Sequence, residues 1–382
     1  MPETVLYTIC YSDYYGTQQN VVSTVRSLDR SRYRPVVAAP YGEHFVRELE
    51  RSDTEFVDLP FLNLFDVKTA AGIAAAARRR RASIIHAHLG ISTLLSLAAS
   101  RMAGGVPVVA TRHFIKDRYS TISNPLTYNV FRKTYISMDR MLKKVIFVSE
   151  AARKSVEKRE GDLGEKGVVI PNAIDVENSP RRDRQSRKKI EEIRTRAGVP
   201  QEKFVVISLS RLSPEKDIPT LLRAASLLKK QGKDFFFIIT GDGPMKRELE
   251  KTARELDVHD CVKFTGFITE KETLISASDA FVLCSSVDSF GISVLEAMAG
   301  CVPAISARGG GPLEIITEGE DGLFFPPGDS EELAGLLSRL AEDENFARRL
   351  AENGSARAAD FDERKITTRI QEVYDEVLEG TK

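Results

Sequence analysis

Residues 280–299 read Ala280-Phe281-Val282-Leu283-Cys284-Ser285-Ser286-Val287-Asp288-Ser289-Phe290-Gly291-Ile292-Ser293-Val294-Leu295-Glu296-Ala297-Met298-Ala299. Ala280–Leu283 is a short continuous apolar run, the mark of a strand covered on both faces. Small polar residues end it, Gly291 turns the chain, and a helix is expected to open near Ser293 with Val294, Leu295 and Met298 toward a core. Backbone N–H groups at such a helix start point at an anion, above all a phosphate. Asp288 stands in the loop and Glu296 lies about one turn into the helix. Packing gives little reason to place two acids astride an anion-binding turn.

The same strand–turn–helix unit recurs on both sides of this stretch. Toward the N-terminus, strands are expected at Val5–Ile9, Pro35–Ala39, Phe56–Leu59, Ser83–His86, Val106–Thr111 and Val145–Val148, with helical patterns at Asn20–Leu28, Glu43–Arg51 and Asp66–Arg80. Around residue 280, strands are expected at Phe204–Ser210, Phe235–Thr240, Val262–Thr265, Pro303–Ser306 and Gly322–Phe325, separated by helical stretches such as Pro219–Lys230 and Pro244–Leu256. Two series of buried strands alternating with helices predict an α/β chain of two doubly wound parallel sheets. At 382 residues the chain has the length for two domains. The strand-and-proline turn Val168-Val169-Ile170-Pro171-Asn172-Ala173-Ile174-Asp175 marks their junction, giving a front domain 1–172 and a back domain 173–361. Residues 362–382 read as a terminal amphipathic helix with Ile366, Ile370, Val373 and Val377 on one face, expected to pack back on the front domain.

In open α/β sheets ligands bind beyond the carboxyl ends of the strands, and the remaining polar motifs fall there. Arg211-Leu212-Ser213-Pro214-Glu215-Lys216-Asp217 brings two cations to a strand-to-helix turn, where they can clamp an anionic group. Gly241-Asp242-Gly243-Pro244 follows the next strand, where its glycines either let the backbone approach a ligand closely or form a plain tight turn. A further loop, Gly309-Gly310-Gly311-Pro312-Leu313-Glu314, follows the strand after residue 300. In the front domain His86 and His88 read as structural or cleft-lining positions on a strand end, His113 as a better candidate for chemistry, and His44 and His259 as surface positions.

Together these motifs resemble the family-4 glycosyltransferases, retaining enzymes of the GT-B fold. RLSPEKD, GDGP, DSFGISVLEAMA and GGPLEII carry the resemblance over about residues 204–330, and Tyr15-Gly16-Thr17, His86-Ala87-His88, Thr111-Arg112-His113 and the PNAID linker extend it more loosely. The resemblance implies two Rossmann-like domains facing a central cleft and a nucleotide-diphosphate sugar, UDP- or GDP-linked, as donor. It implies that Arg211 and Lys216 hold the diphosphate, that Glu296 binds the ribose hydroxyls, and that Gly16 approaches the donor from the front domain. His113 would sit beside the transferred sugar. His113, Arg211, Lys216, Asp288 and Glu296 form the implied catalytic set, and Gly241, Gly243, Ser289, Phe290, Gly291 and Ile292 complete the implied donor site. Two features depart from the family pattern. Asp288 stands where a glutamate is usual, and the first loop reads GTQQN rather than a double glycine followed by an acid.

Fixed cations and helix-start amides stabilise charge building on a leaving diphosphate, so no metal or other cofactor is expected. The four cysteines Cys10, Cys261, Cys284 and Cys301 are scattered without a CxxC pair, which points to a reducing, cytoplasmic setting. The start of the chain lacks a secretory pattern, and no apolar run reaches the ~20 residues that span a bilayer. Net charge is zero, yet residues 1–170 carry 25 Lys and Arg against 17 Asp and Glu, whereas residues 200–382 carry 22 against 33. The basic front half, with Phe61-Leu62-Asn63-Leu64-Phe65 and a basic helix expected at Phe131–Lys144, suggests contact with an anionic inner membrane face and a saccharide or lipid-linked acceptor. No nucleic-acid motif accompanies the positive charge. A nucleotide-sugar epimerase and a non-catalytic nucleotide-sugar-binding member share the architecture and stay open at this level.

Overall fold

The computed structural model describes residues 1–11, 16–61, 66–115, 124–268 and 270–380. The described chain divides into two compact units, Met1–Ile174 with Glu363–Lys382, and Asp175–Asp362. The passage from Ile174 to Asp175 thus lies just beyond the junction read at Asn172.

The front unit runs β1 (Glu3–Ile9), α1 (Gly16–Ser27), β2 (Tyr33–Ala39), α2 (Glu43–Arg51), β3 (Glu55–Asp58), α3 (Val67–Arg80), β4 (Ala82–His88), α4 (Gly90–Met102), β5 (Val108–Arg112), α5 (Pro125–Met141), β6 (Lys144–Phe147), α6 (Glu150–Glu160) and β7 (Gly167–Val169). Its seven strands are parallel in the order β3-β2-β1-β4-β5-β6-β7. Alternation along β1 divides the core. Val5, Tyr7 and Ile9 join one layer, while Leu6 joins the opposite layer with Ile73 and Ile85.

The back unit runs α7 (Arg187–Ala197), β8 (Phe204–Leu209), α8 (Ile218–Lys230), β9 (Phe235–Thr240), α9 (Lys246–Glu255), β10 (Val262–Gly266), α10 (Lys271–Ser276), β11 (Ala280–Leu283), α11 (Ile292–Ala299), β12 (Ala304–Ala307), α12 (Pro312–Ile315), β13 (Leu323–Phe325), α13 (Ser330–Glu342) and α14 (Glu344–Ala358). Its six strands are parallel in the order β10-β9-β8-β11-β12-β13. In each sheet the strand order reverses once, between β1 and β4 and between β8 and β11. A crevice opens at such a reversal because the crossover helices leave toward opposite faces.

The terminal helix α15 (Glu363–Glu379) completes the front unit. Ile366, Ile370, Val373, Tyr374 and Val377 are buried in the layer that holds Tyr7 and Ile84. Each such side chain contributes about 1.5–3 kcal/mol. Arg26 Nε donates to Glu363 Oε1 at 2.8 Å, and Tyr33 Oη donates to Asp375 Oδ1 at 2.6 Å.

Two helices start a turn or more earlier than read: the one expected at Asn20–Leu28 runs Gly16–Ser27, and the second departs further. The helix expected at Phe131–Lys144 begins at Pro125 and ends at Met141, and Lys144 opens β6. Asn124 explains the early start: its side chain accepts from the N–H groups of Leu126 and Thr127, at 3.0 and 3.1 Å, with Pro125 in the first turn.

Candidate functional site

In the back unit the polar motifs gather at the carboxyl ends of β8, β9, β11 and β12. Leu212 is fully buried and anchors the loop after β8. Its N–H donates to the Asp242 carbonyl at 2.9 Å, and its own carbonyl accepts from Met245 N at 3.0 Å. A Cβ at Gly241 would overlap the Ser210 carbonyl, and one at Gly243 would overlap that of Leu212. These glycines therefore let two loops of the chain lie against one another, a backbone-to-backbone contact rather than the approach to a ligand that is one reading of their spacing. Arg211 is exposed, and its guanidinium makes no ion pair among the described residues.

Lys216 reaches across to the neighbouring strand end. Its Nζ lies 2.5 Å from Asp288 Oδ2, and the two side chains are 21 % and 16 % exposed. Burial opposes ionisation of Asp288. The Lys216 ammonium and the N–H groups of Phe290 and Gly291 outweigh it and hold the carboxyl below the usual carboxylate range. The Phe290 N–H lies 3.3 Å from Asp288 Oδ1. Two amides expected to face a phosphate are thus directed at Asp288, and the Phe290 ring is buried edge-on against Phe361 at 5.9 Å. Helix α11 follows Gly291 without a side-chain cap, which leaves the amides of Ile292 and Ser293 at its tip.

The glycine triplet holds this loop in place. A Cβ at Gly309, Gly310 or Gly311 would strike Ser286 O, Asp288 O or Phe290 Cα in turn, and Gly311 N donates to Asp288 O at 2.8 Å. Glu296 projects from α11 onto Lys271 Nζ, a partner that sequence reasoning missed. Asp360-Phe361-Asp362 has DxD spacing, but Phe361 is buried and Asp360 pairs with Arg357 at 3.0 Å. Among the described residues no three His, Cys, Asp or Glu side chains gather as a metal-binding group.

In the front unit Gly16 opens α1 after β1, and His88 and His113 stand at the ends of β4 and β5. Tyr15 and residues 62–65 lie outside the described residues. His88 Nδ1 and His113 Nε2 are 2.8 Å apart, and His86 is bonded to Tyr374 Oη at 2.6 Å and Thr111 Oγ1 at 2.7 Å. His88 Nε2 is buried without a partner among the described residues. Burial pushes His86 and His113 down to about 3, and burial with the two neighbouring imidazoles lowers His88 well below its ordinary value. Of the two readings for His86, its partners support the structural one; His113 is buried, and His259 is exposed as read. Beside them Arg112 and Asp139 form a buried ion pair at 2.5 Å, which no sequence spacing announces.

The chain resembles known proteins along most of its length. The family described as "Glycosyltransferase Family 4" matches residues 14–178, and that described as "Glycosyl transferases group 1" matches residues 189–357. The chain belongs to the GT-B glycosyltransferases. The enzyme is 27 % identical over 286 residues to alpha-D-kanosaminyltransferase of Streptomyces kanamyceticus, which covers 73 % of each chain. It is 26 % identical over 324 residues to N-acetyl-alpha-D-glucosaminyl L-malate synthase of Bacillus anthracis, covering 83 % of this chain and 81 % of that one. Among solved structures it is similar to Anabaena Alr3699/HepE in complex with UDP and glucose. The TM-score is 0.83 at 25 % identity, over 97 % of this glycosyltransferase and 99 % of that chain. Among the described residues none of its helices is long and apolar enough to cross a membrane.

Proposed function

We propose that this glycosyltransferase moves a sugar from a nucleoside-diphosphate sugar to a saccharide or lipid-linked acceptor, with retained anomeric configuration and without a metal ion. The observation that carries the reading is the cation pair at the β8–β11 reversal: Arg211 outside any ion pair among the described residues, and Lys216 fixed on Asp288. As the bond from the anomeric carbon to the diphosphate breaks, the leaving oxygen gains negative charge. These cations and the uncapped amides of α11 stabilise that charge, Lys216 from a position already fixed by Asp288. In a same-face displacement the acceptor oxygen bonds to the anomeric carbon on the side the diphosphate leaves, and its proton passes to the leaving phosphate oxygen. Glu296 accepts from the ribose hydroxyls. The UDP and glucose held by HepE favour a uridine donor over a guanosine one.

The test is turnover of UDP- and GDP-sugars in the presence of EDTA, with the product's anomeric coupling read by NMR. The α-linked product from an α-linked donor, at a rate EDTA leaves unchanged, is expected. An inverted product, or activity that EDTA abolishes and a divalent ion restores, overturns that part of the reading.

We further propose a cytoplasmic setting and peripheral contact with an anionic membrane through α5. This helix exposes Leu126 and Val130 along with Lys133 and Arg140. Leu126→Ser with Lys133→Glu is expected to cut co-sedimentation with phosphatidylserine vesicles several-fold. Retention that is equal on neutral vesicles argues against this contact.

A further inference from the structure

Helix α10 places its first residue, Lys271, against Glu296 of α11. The Lys271 ammonium meets Glu296 Oε1, and the two side chains are 17 % and 10 % exposed. Withdrawing both charges from water is costly, and a lysine at the start of a short helix would keep its ammonium solvated unless something held it. Buried Leu274 and Ile275 hold α10 in place, so the lysine is aimed by the core. The pairing engages one carboxylate oxygen. Glu296 Oε2 makes no hydrogen bond among the described residues.

We propose that Lys271 is a positioning residue for the donor's ribose. By holding Oε1 it fixes the rotamer of Glu296 and turns Oε2 toward the ribose hydroxyls. A carboxylate fixed before the ligand arrives loses less side-chain freedom on binding than a mobile one. The inference rests on the reading of Glu296 as the ribose acid, and it adds what aims that acid.

The experiment measures dissociation constants of UDP, GDP and their 2′-deoxy forms for wild type, Lys271→Met, Lys271→Arg, Glu296→Ala and the Lys271→Met/Glu296→Ala double variant. Wild type is expected to prefer the ribose form by about tenfold, the scale of one hydrogen bond to a charged group. Lys271→Met is expected to lose most of that preference, Lys271→Arg to regain most of it, and the double variant to lose no more than Glu296→Ala. A lysine that merely stabilises the fold would lower the melting temperature and leave the ratio of ribose to deoxyribose affinity unchanged. Preference intact in Lys271→Met but lost in Glu296→Ala overturns the role of Lys271 and spares that of Glu296. Preference absent from wild type, or kept in Glu296→Ala, overturns the ribose reading itself. Should Lys271→Met fail to fold, Lys271→Gln gives the same ratio, and its full wild-type preference would overturn the role.

Discussion

Arg211→Ala is expected to lower kcat/KM for sugar transfer by roughly 10²–10³-fold, the loss typical of removing one preorganised donor to a developing anion. The same variant is expected to unfold at the urea concentration of the wild type. Its guanidinium is exposed and outside any ion pair among the described residues, and the loop is anchored by buried Leu212 rather than by the arginine. Lys216→Ala should behave differently. It removes a cation from transfer and also strands the carboxylate of Asp288, so activity falls by a similar factor and stability falls by about 1–3 kcal/mol. Adding Asp288→Asn to Lys216→Ala should restore stability and leave transfer low. The sign of the pH effect follows from the lowered carboxyl of Asp288. Its contribution is fully present above the ordinary carboxylate range and is lost as pH falls through its lowered folded value. Stability curves for wild type and the double variant should therefore converge in acid. Wild-type transfer by both Arg211→Ala and Lys216→Ala would remove the diphosphate role from this loop.

Both sheets are legible in the sequence because parallel strands covered on two faces write continuous apolar runs. Phe235–Thr240 and Ala280–Leu283 read to the residue. The loops after β8 and β11 are legible as polar interruptions of that pattern, and so are their cations and acids. The pairings within the site are not. Lys216 finds Asp288 because β8 lies beside β11, a neighbour set by a crossover and not by any local spacing. Lys271 finds Glu296 for a similar reason, through α10 and α11 flanking one strand. The glycine triplet announces a tight turn, yet only β11 beside β12 shows that the turn is pressed on the Asp288 loop. His86 is the clearest case. Its partner Tyr374 comes from the far end of the chain, so no window of sequence could show that this strand-end histidine is tied to α15.

Acidification provides the largest expected effect on stability, and it falls on the front unit. His86, His88 and His113 are all buried, and burial favours the neutral imidazole in each. The contact between His88 and His113 adds a geometric demand: one ring nitrogen must accept, so the two imidazoles cannot both be fully protonated while it lasts. An unfolded chain places no such demand, and its histidines take up protons near pH 6.5. Between that value and the folded value of about 3 for His86 and His113, the unfolded state binds more protons, so stability rises with pH. Lowering the pH from 6.5 to 5 should cost about 1.5 kcal/mol for each of His86 and His113, and His88 acts in the same direction, so the loss is a sizeable share of the ~5–15 kcal/mol that holds a typical domain. Above about pH 8 all three are neutral in both states and the effect vanishes. The chain has no tryptophan, so hydrogen exchange of front-unit peptides is the suitable measure of local stability. Protection should fall steeply between pH 6.5 and 5, after correction for the intrinsic exchange rate, while back-unit peptides change less. His113→Asn should be less stable at pH 7 and yet show a shallower slope, because one proton has left the linkage. Flat front-unit stability across this range, or a histidine C2–H resonance titrating near 6.5 in the folded protein for each of the three, would show that these rings are not held neutral.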